Sequence, residues 1–259
     1  MSDRPDLQLA PAHGATIAVI GAAGGIGQAT VAALAAAGCQ VFAIDRADPL
    51  AKMQDIWPDT ITSVAIDATD AASVDQAFAR IAAEVPALDG LVHLAGFTNP
   101  RTPVADLDPA DWREVIEGNL DSAYLCARAA MPLLHKGRAP SVVLASSGLA
   151  VKSMPGYGSY AAAKAGLLAF MRVLAAEMAP HARVNAIAPS AVDTPFLQGG
   201  TGRQTRALGF DKDVYVKSVP LARIAVPEDI VGPILFLLGP ASAYITGQTL
   251  HVNGGLLMT

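Results

Sequence analysis

A chain of 259 residues, 52% hydrophobic, 16% charged and 5% aromatic, has material for a large core packed mainly from small and aliphatic side chains. Its net charge of −5, with no run of Lys or Arg, argues against a nucleic-acid footprint or a polybasic membrane patch. Cys39 and Cys126 have neither metal-ligand spacing nor the number a disulfide framework needs, which points to a reduced, cytoplasmic setting; the scattered histidines form no metal motif, and no metal is expected.

Short apolar runs alternate with helical patterns along the chain. "TIAVI" (16 to 20) predicts a strand, followed by a helix over 28 to 37 and strands at "QVFAI" (40 to 44) and "TSVAI" (62 to 66). A helix over 73 to 84 leads to a strand at "LDGLVHLA" (88 to 95), and a long helix over 109 to 136 to "SVVLAS" (141 to 146). The remainder reads as a helix over 158 to 179, a strand at "ARVNAIA" (182 to 188), a helix over 227 to 238 and a strand at "QTLHV" (248 to 252). The strands are nearly continuously apolar, as expected where both faces are covered. Alternation of this kind implies one doubly wound α/β domain over 1 to 259, with a parallel sheet of about seven strands and right-handed crossovers. Uncharged stretches at 14 to 44 and 230 to 247 are broken by glycine or proline, so no membrane span is expected. Residues 191 to 220 carry glycines, mixed charge and weak periodicity after a strand end, which suits a lid over a site.

"IGAAGGIGQAT" joins the first strand to the first helix. Gly21 permits a tight turn, Gly25 lets the backbone approach a pyrophosphate, and Gly27 allows close packing of helix on strand, with the phosphates on the helix N-terminus. Asp45 ends the second strand where a carboxylate would accept from the adenosine ribose hydroxyls and repel a 2′-phosphate, favouring NAD over NADP. Arg46 beside it could accommodate that phosphate. Asp67, in "AIDATD", suits either an adenine amino group or a turn.

Tyr160 and Lys164, in "GSYAAAKAG", share a helix face. A phenol of ordinary pKa is a poor base at neutral pH. An ammonium about 4 Å away, at an effective dielectric of about 20, stabilises the phenolate by about 4 kcal/mol, or roughly three pKa units before desolvation subtracts. Tyr160 could then act as a general acid or base near pH 7; the plainer alternative is a core aromatic beside a surface charge. "VVLASSG" places Ser146 and Ser147 at a strand end, where ligands bind in such sheets and where a turn role is also open.

Together, "GAAGGIG", "IDATD", "LAG" at 94 to 96, "EGNL", "ASSG", "YAAAK", "VNAIAPSAVDTP" and "TGQTLHVNGG" resemble the short-chain dehydrogenase/reductase family from about residue 14 to the end. That resemblance implies a Rossmann-type fold and hydride transfer between a nicotinamide and a carbinol carbon. It implies that Tyr160 passes the proton, that Lys164 binds the nicotinamide ribose and lowers the tyrosine pKa, that Ser147 polarises the substrate oxygen, and that Asn119 holds a water linking Lys164 to solvent. Beyond the glycines, Ile26, Asp45, Arg46, Asp67, Ala68, Ala95, Gly96 and Pro189 would contact the cofactor, with Val192 and Thr194 on the carboxamide. Phe97, Leu149, Tyr157, Ser190 and Phe196, with Leu197 and Phe210 of the lid, would line a mainly apolar pocket suited to a cyclic substrate.

Three residues depart from the family pattern. Ile20 removes a hydroxyl that would tie the glycine loop to its neighbouring strand, His93 and Leu94 replace asparagines, and Ser190 adds bulk near the pocket. The first two put local sheet bonding in doubt; His93, inside a strand, is expected to be buried with its ring satisfied. From 161 to 179 the helix has few charges beyond Lys164, Arg172 and Glu177 and is apolar nearly all round, and family members commonly pair it with its copy, so a homotetramer or at least a dimer is expected. The leading reading is an NAD(H)-dependent enzyme interconverting a secondary alcohol and a ketone. Its competitor is an NADPH-dependent 3-oxoacyl thioester reductase, against which Asp45 and the neutral Gly24 speak; a non-catalytic cofactor-binding scaffold or redox sensor is the alternative outside enzymes.

Overall fold

The computed structural model describes residues 8–58, 60–152, 154–204 and 208–258. Its centre is a seven-stranded sheet of β1 (Thr16–Ile20), β2 (Gln40–Asp45), β3 (Ile61–Ala65), β4 (Gly90–His93), β5 (Ser141–Ala145), β6 (Arg183–Pro189) and β7 (Thr249–Val252), in the order β3-β2-β1-β4-β5-β6-β7. Every neighbouring pair is parallel. The chain runs outward from β1 to β3, then returns to lay β4 on the other side of β1. That reversal opens a crevice at the carboxyl ends of β1 and β4, the position where ligands bind in such folds.

Strand pleating sorts the core into two faces. Ala18, Ile20, Phe42, Ile44, Leu91 and Leu144 pack on α3 (Ala71–Glu84), α5 (Ser122–Leu134) and α6 (Gly158–Met178), while Ile17, Val19, Val41, Val92 and Val143 pack on α1 (Gly25–Ala36) and α8 (Pro227–Leu238). Burial on both sides is why the strands read as unbroken apolar runs rather than alternating ones. Among the described residues no helix is long and apolar enough to cross a membrane.

Boundaries shift where local chemistry overrides periodicity. α1 begins at Gly25, three residues before the expected start, because the glycine loop runs directly into the helix. Two short helices, α2 (Ala47–Ala51) and α7 (Lys212–Ser218), lie where only irregular chain was expected; Asp211 caps the second by accepting from the amides of Asp213 and Val214, both at 3.0 Å. The single helix expected over 109 to 136 is interrupted. α4 (Pro109–Ile116) passes through a π-helical turn, Glu117–Asp121, before α5 begins. Asn119 and Ser122 account for the irregularity: the Asn119 amide donates to the Val115 carbonyl at 2.8 Å and the Ser122 hydroxyl to the Gly118 carbonyl at 3.0 Å.

Candidate active site

A cleft of about 750 Å³ opens over the carboxyl ends of the strands, and every residue expected at the site lines it except Asn119. The glycine loop forms its floor. Gly21 adopts φ +80 and passes so close to β4's end that a Cβ there would stand 2.6 Å from the Ala95 nitrogen. A Cβ on Gly25 would meet Thr194 at 2.5 Å, and one on Gly27 would stand 2.7 Å from the Ala22 carbonyl oxygen. Each glycine is therefore required by a close approach. The hydroxyl missing at Ile20 is compensated by the backbone: Gly21 and Ala22 donate to the Ile44 carbonyl at 2.9 and 3.2 Å, and Leu94 donates to the Ile20 carbonyl at 2.9 Å. Backbone pairing of the sheet is therefore continuous at Ile20, His93 and Leu94.

Asp45 accepts from the Ala23 amide at 2.9 Å and the Arg46 amide at 2.8 Å, which fixes its carboxylate beside the loop; burial nevertheless raises its pKa. Arg46 reaches across the cleft to donate to the Thr201 carbonyl at 2.9 Å. Asp67 lines the cleft but serves the turn as well, its Oδ1 accepting from the Thr69 amide at 2.9 Å and hydroxyl at 2.7 Å, bonds that hold its pKa down. Ala68 follows it in the wall. On the opposite wall, Val192 is bridged to Ala225, Thr194 donates to the Val192 carbonyl at 3.3 Å, and Ser190 is tied through its amide to the Val252 carbonyl at 3.2 Å beside Pro189. Ile26, at the first turn of α1, completes this side.

Three elements converge on the polar centre. Ser147, at the end of β5, accepts from the Leu149 amide at 3.2 Å, and its hydroxyl also stands beside the phenol of Tyr160, which it draws downward. Ser146 turns away and donates to the Lys164 carbonyl at 3.0 Å, joining β5 to α6. The Lys164 ammonium donates to the Ala145 carbonyl at 2.8 Å and lies 5.7 Å from the Tyr160 ring centroid. Asn119 lies behind Gly96. Its amide donates to the Phe97 and Val115 carbonyls at 2.8 Å each, whereas its Oδ1, buried, meets no partner among the described residues and faces the same glycine as the Lys164 ammonium.

The electrostatics of the pair differ from the sequence expectation. Burial pushes Tyr160 up to about 12 rather than down, and Lys164 down to about 7. The reason is that both groups are withdrawn from water and the ammonium is directed at a backbone carbonyl instead of the phenol oxygen, so desolvation outweighs their attraction. The Tyr160 phenol at the cleft therefore keeps its proton at neutral pH. His93 is fully buried, as expected, but among the described residues neither ring nitrogen reaches a partner within hydrogen-bond geometry, and burial followed by the nearby Lys164 charge lowers its pKa to about 3.

Phe97, Tyr160, Leu149 and Phe196 form an apolar cluster at the inner end, the Phe196 ring 5.9 Å from that of Tyr160, and Tyr157 lies under the Arg101 guanidinium at 5.2 Å. Residues the sequence did not single out also line the cleft, among them Arg101, Glu114, Lys152, Arg203 and Tyr215. The Arg203 guanidinium stacks on Phe97 at 3.5 Å and pairs with Glu114, and the Tyr215 hydroxyl accepts from the Ala191 amide at 3.1 Å. No local motif marks them, since their partners come from distant parts of the chain.

This arrangement fits a dinucleotide, because the glycines leave a backbone cradle that a Cβ would fill and an acceptor, Asn119 Oδ1, is left over beside the ammonium. A family model described as "Enoyl-(Acyl carrier protein) reductase" matches residues 21–257. The chain is also 34% identical over 243 residues to the 3-oxoacyl-[acyl-carrier-protein] reductase FabG of Escherichia coli strain K12, covering 93% of this chain and 96% of that one. The chain belongs to the short-chain dehydrogenase/reductase family. Within it, the cis-4-hydroxycyclohexanecarboxylate dehydrogenase of Sinomonas cyclohexanicum is 36% identical over 241 residues, 92% of this chain and 94% of its own. The solved 3-ketoacyl-(acyl-carrier-protein) reductase of Brucella melitensis, complexed with NADH, superposes with a TM-score of 0.85 at 26% identity, over 95% of this chain and 99% of that chain. As a family member with this fold, the protein is an oxidoreductase that binds a nicotinamide cofactor.

Proposed function

We propose that this enzyme reduces the 3-oxo group of an acyl thioester to the 3-hydroxy compound, with NADH as preferred hydride donor. The relatives carry the substrate reading, since 3-oxoacyl-[acyl-carrier-protein] reductases match over more than nine-tenths of both chains. They move the choice from a general secondary alcohol to the thioester reductase, which the sequence ranked second as an NADPH-dependent enzyme. On the cofactor, Asp45 and Gly24 support NADH, as does the NADH complex of the Brucella relative.

A bound reduced nicotinamide supplies hydride to the carbonyl carbon; the chain's own groups orient the substrate and handle the proton. The glycine loop would hold the pyrophosphate, Asp45 the adenosine ribose, and Lys164 the nicotinamide ribose. Ser147 donates a hydrogen bond to the substrate carbonyl oxygen. The Tyr160 phenol, protonated at neutral pH, gives its proton to that oxygen as negative charge develops there. Lys164, titrating near 7, returns a proton towards Tyr160, and Asn119 Oδ1 would accept from a water linking Lys164 to solvent. Residues 191 to 220 serve as the substrate lid, of which 205 to 207 lie outside the described residues; the chain works as one domain, in the reduced cytoplasm. Nothing in this scheme needs a non-catalytic scaffold, because each proton-handling group is present.

A second reading, oxidation of an alicyclic hydroxy acid, is favoured by the Sinomonas relative and by a cleft with an apolar inner end and with Arg101 and Lys152 among its lining residues. Consumption of NADH and of NADPH with acetoacetyl-CoA, beside NADH formation from cis-4-hydroxycyclohexanecarboxylate and NAD, separates these readings. The expected result is thioester turnover with NADH preferred, lowered at least about 100-fold by Tyr160→Phe with NADH binding retained. Turnover of the hydroxy acid alone would replace the substrate reading, and NADPH preference would overturn the cofactor reading.

A further inference from the structure

A strap of chain from Gly199 to Gln204 crosses the cleft, and an arginine grips it on each side. On the adenosine side the Arg46 guanidinium donates to the Thr201 carbonyl at 2.9 Å. Gly202, at φ +68, lies against the same arginine and Pro49; a Cβ there would stand 2.8 Å from the Arg46 guanidinium and 2.6 Å from Pro49. On the substrate side the strap's own Arg203 stacks on Phe97 at 3.5 Å and pairs with Glu114 of α4. Phe97 belongs to the cluster that surrounds Tyr160. One short segment therefore joins the ribose end of the site to the wall of the substrate chamber.

We propose that Arg46 is a latch that makes the strap sensitive to which cofactor is bound. This rests on the nicotinamide reading above. With NADH, the ribose hydroxyls engage Asp45 and Arg46 keeps its bond to Thr201, so the strap stays down over the substrate chamber. With NADPH, a 2′-phosphate arrives beside the same guanidinium. A phosphate accepts two charge-assisted hydrogen bonds in the fork geometry of arginine, whereas Thr201 offers the guanidinium a single neutral carbonyl acceptor. The phosphate wins the guanidinium, Thr201 is released, and the strap loses its adenosine-side anchor. Discrimination against NADPH then takes two forms: repulsion by Asp45 in binding, and a loosened substrate wall once bound. Arg46 acts here as a positioning and specificity residue and not as a proton carrier.

Hydrogen–deuterium exchange over residues 199 to 204 tests this in the full-length protein saturated with NADH or with NADPH, occupancy being verified by calorimetry. The expected result is exchange at least about threefold slower with NADH than with NADPH. Arg46→Gln, which keeps a donor for Thr201 but has no charge for a phosphate, should bring the two cofactors to equal protection, and Arg46→Ala should speed exchange in the free protein. In steady state the KM for the keto substrate should be higher with NADPH than with NADH in the parent and similar in Arg46→Gln. Equal protection of the parent by both bound cofactors would overturn the latch alone. Failure of both cofactors to bind would overturn the nicotinamide reading and the latch with it, and failure of NADPH alone to reach saturation would overturn the latch.

Discussion

Lys164 and Tyr160 stand one helical turn apart on α6, and burial acts on them in opposite senses, lowering the amine to about 7 and raising the phenol to about 12. A spacing rule sees only the attraction between neighbours; the desolvation that outweighs it depends on β5 and the cleft wall, which a spacing rule does not contain. The consequence for stability has a definite sign. Below pH 7 Lys164 is protonated both folded and unfolded, so the folded state bears the full cost of burying the ammonium. From about 7 to the ordinary lysine value the unfolded chain holds the extra proton, and stability rises with pH; above about 10, Tyr160 reverses the trend because the folded phenol keeps its proton longer. Lys164→Met should accordingly melt higher than the parent at pH 6.5, with the gap closing by about pH 10. A gap that does not change with pH would show that no buried ammonium was being carried. His93 teaches the same lesson, since its burial was legible from its place in a strand but the lowering of its pKa by burial and by Lys164 was not.

At the scale of elements, the join between β1 and α1 was the most legible part of the chain. Its requirements are local: a left-handed turn at Gly21 and a helix start that presses on the backbone just before it, where only glycine leaves room. Gly27→Ala places a methyl against the carbonyls of Gly21 and Ala22, atoms that cannot move without disturbing the sheet. Overpacking of this kind costs about 1–3 kcal/mol. The variant should melt several degrees lower and bind NADH at least about tenfold more weakly, measured by thermal unfolding and by fluorescence titration. Unchanged affinity would mean that the loop does not cradle the cofactor. The π turn at 117 to 121 shows the opposite limit. Apolar periodicity continues through it, so the sequence reads as one helix, while the interruption is written in side-chain bonds from Asn119 and Ser122 to carbonyls one turn back. It leaves Asn119 facing Gly96 beside Lys164, where the proposed proton path would use it.

For the whole molecule, α5 and α6 leave an apolar strip outside the sheet. Val173 is 55% exposed and Tyr124 48%, Tyr124 meets Phe170 edge-on at 6.2 Å, and Ala162, Ala169 and Ala176 are exposed on the same helix as Val173. Small residues allow two such helices to approach closely, which suits pairing with a second copy. Light scattering should give a dimer or tetramer, and Val173→Glu should shift it towards smaller species; a monomeric parent would contradict the pairing.

What the sequence by itself determined is whatever depends on residues close together in the chain: strand and helix type, the glycine loop, the acid at the end of β2, the Tyr-Lys helix face and the family that these motifs mark. Only the tertiary structure decided the direction of the Tyr160 and Lys164 pKa values, the π turn that breaks the expected helix, and the strap held by Arg46 and Arg203. Arg46 and Thr201 are 155 residues apart and Arg203 and Glu114 are 89 apart. Contacts of that range, and the loss of water they entail, exist only once the sheet has brought its strand ends together.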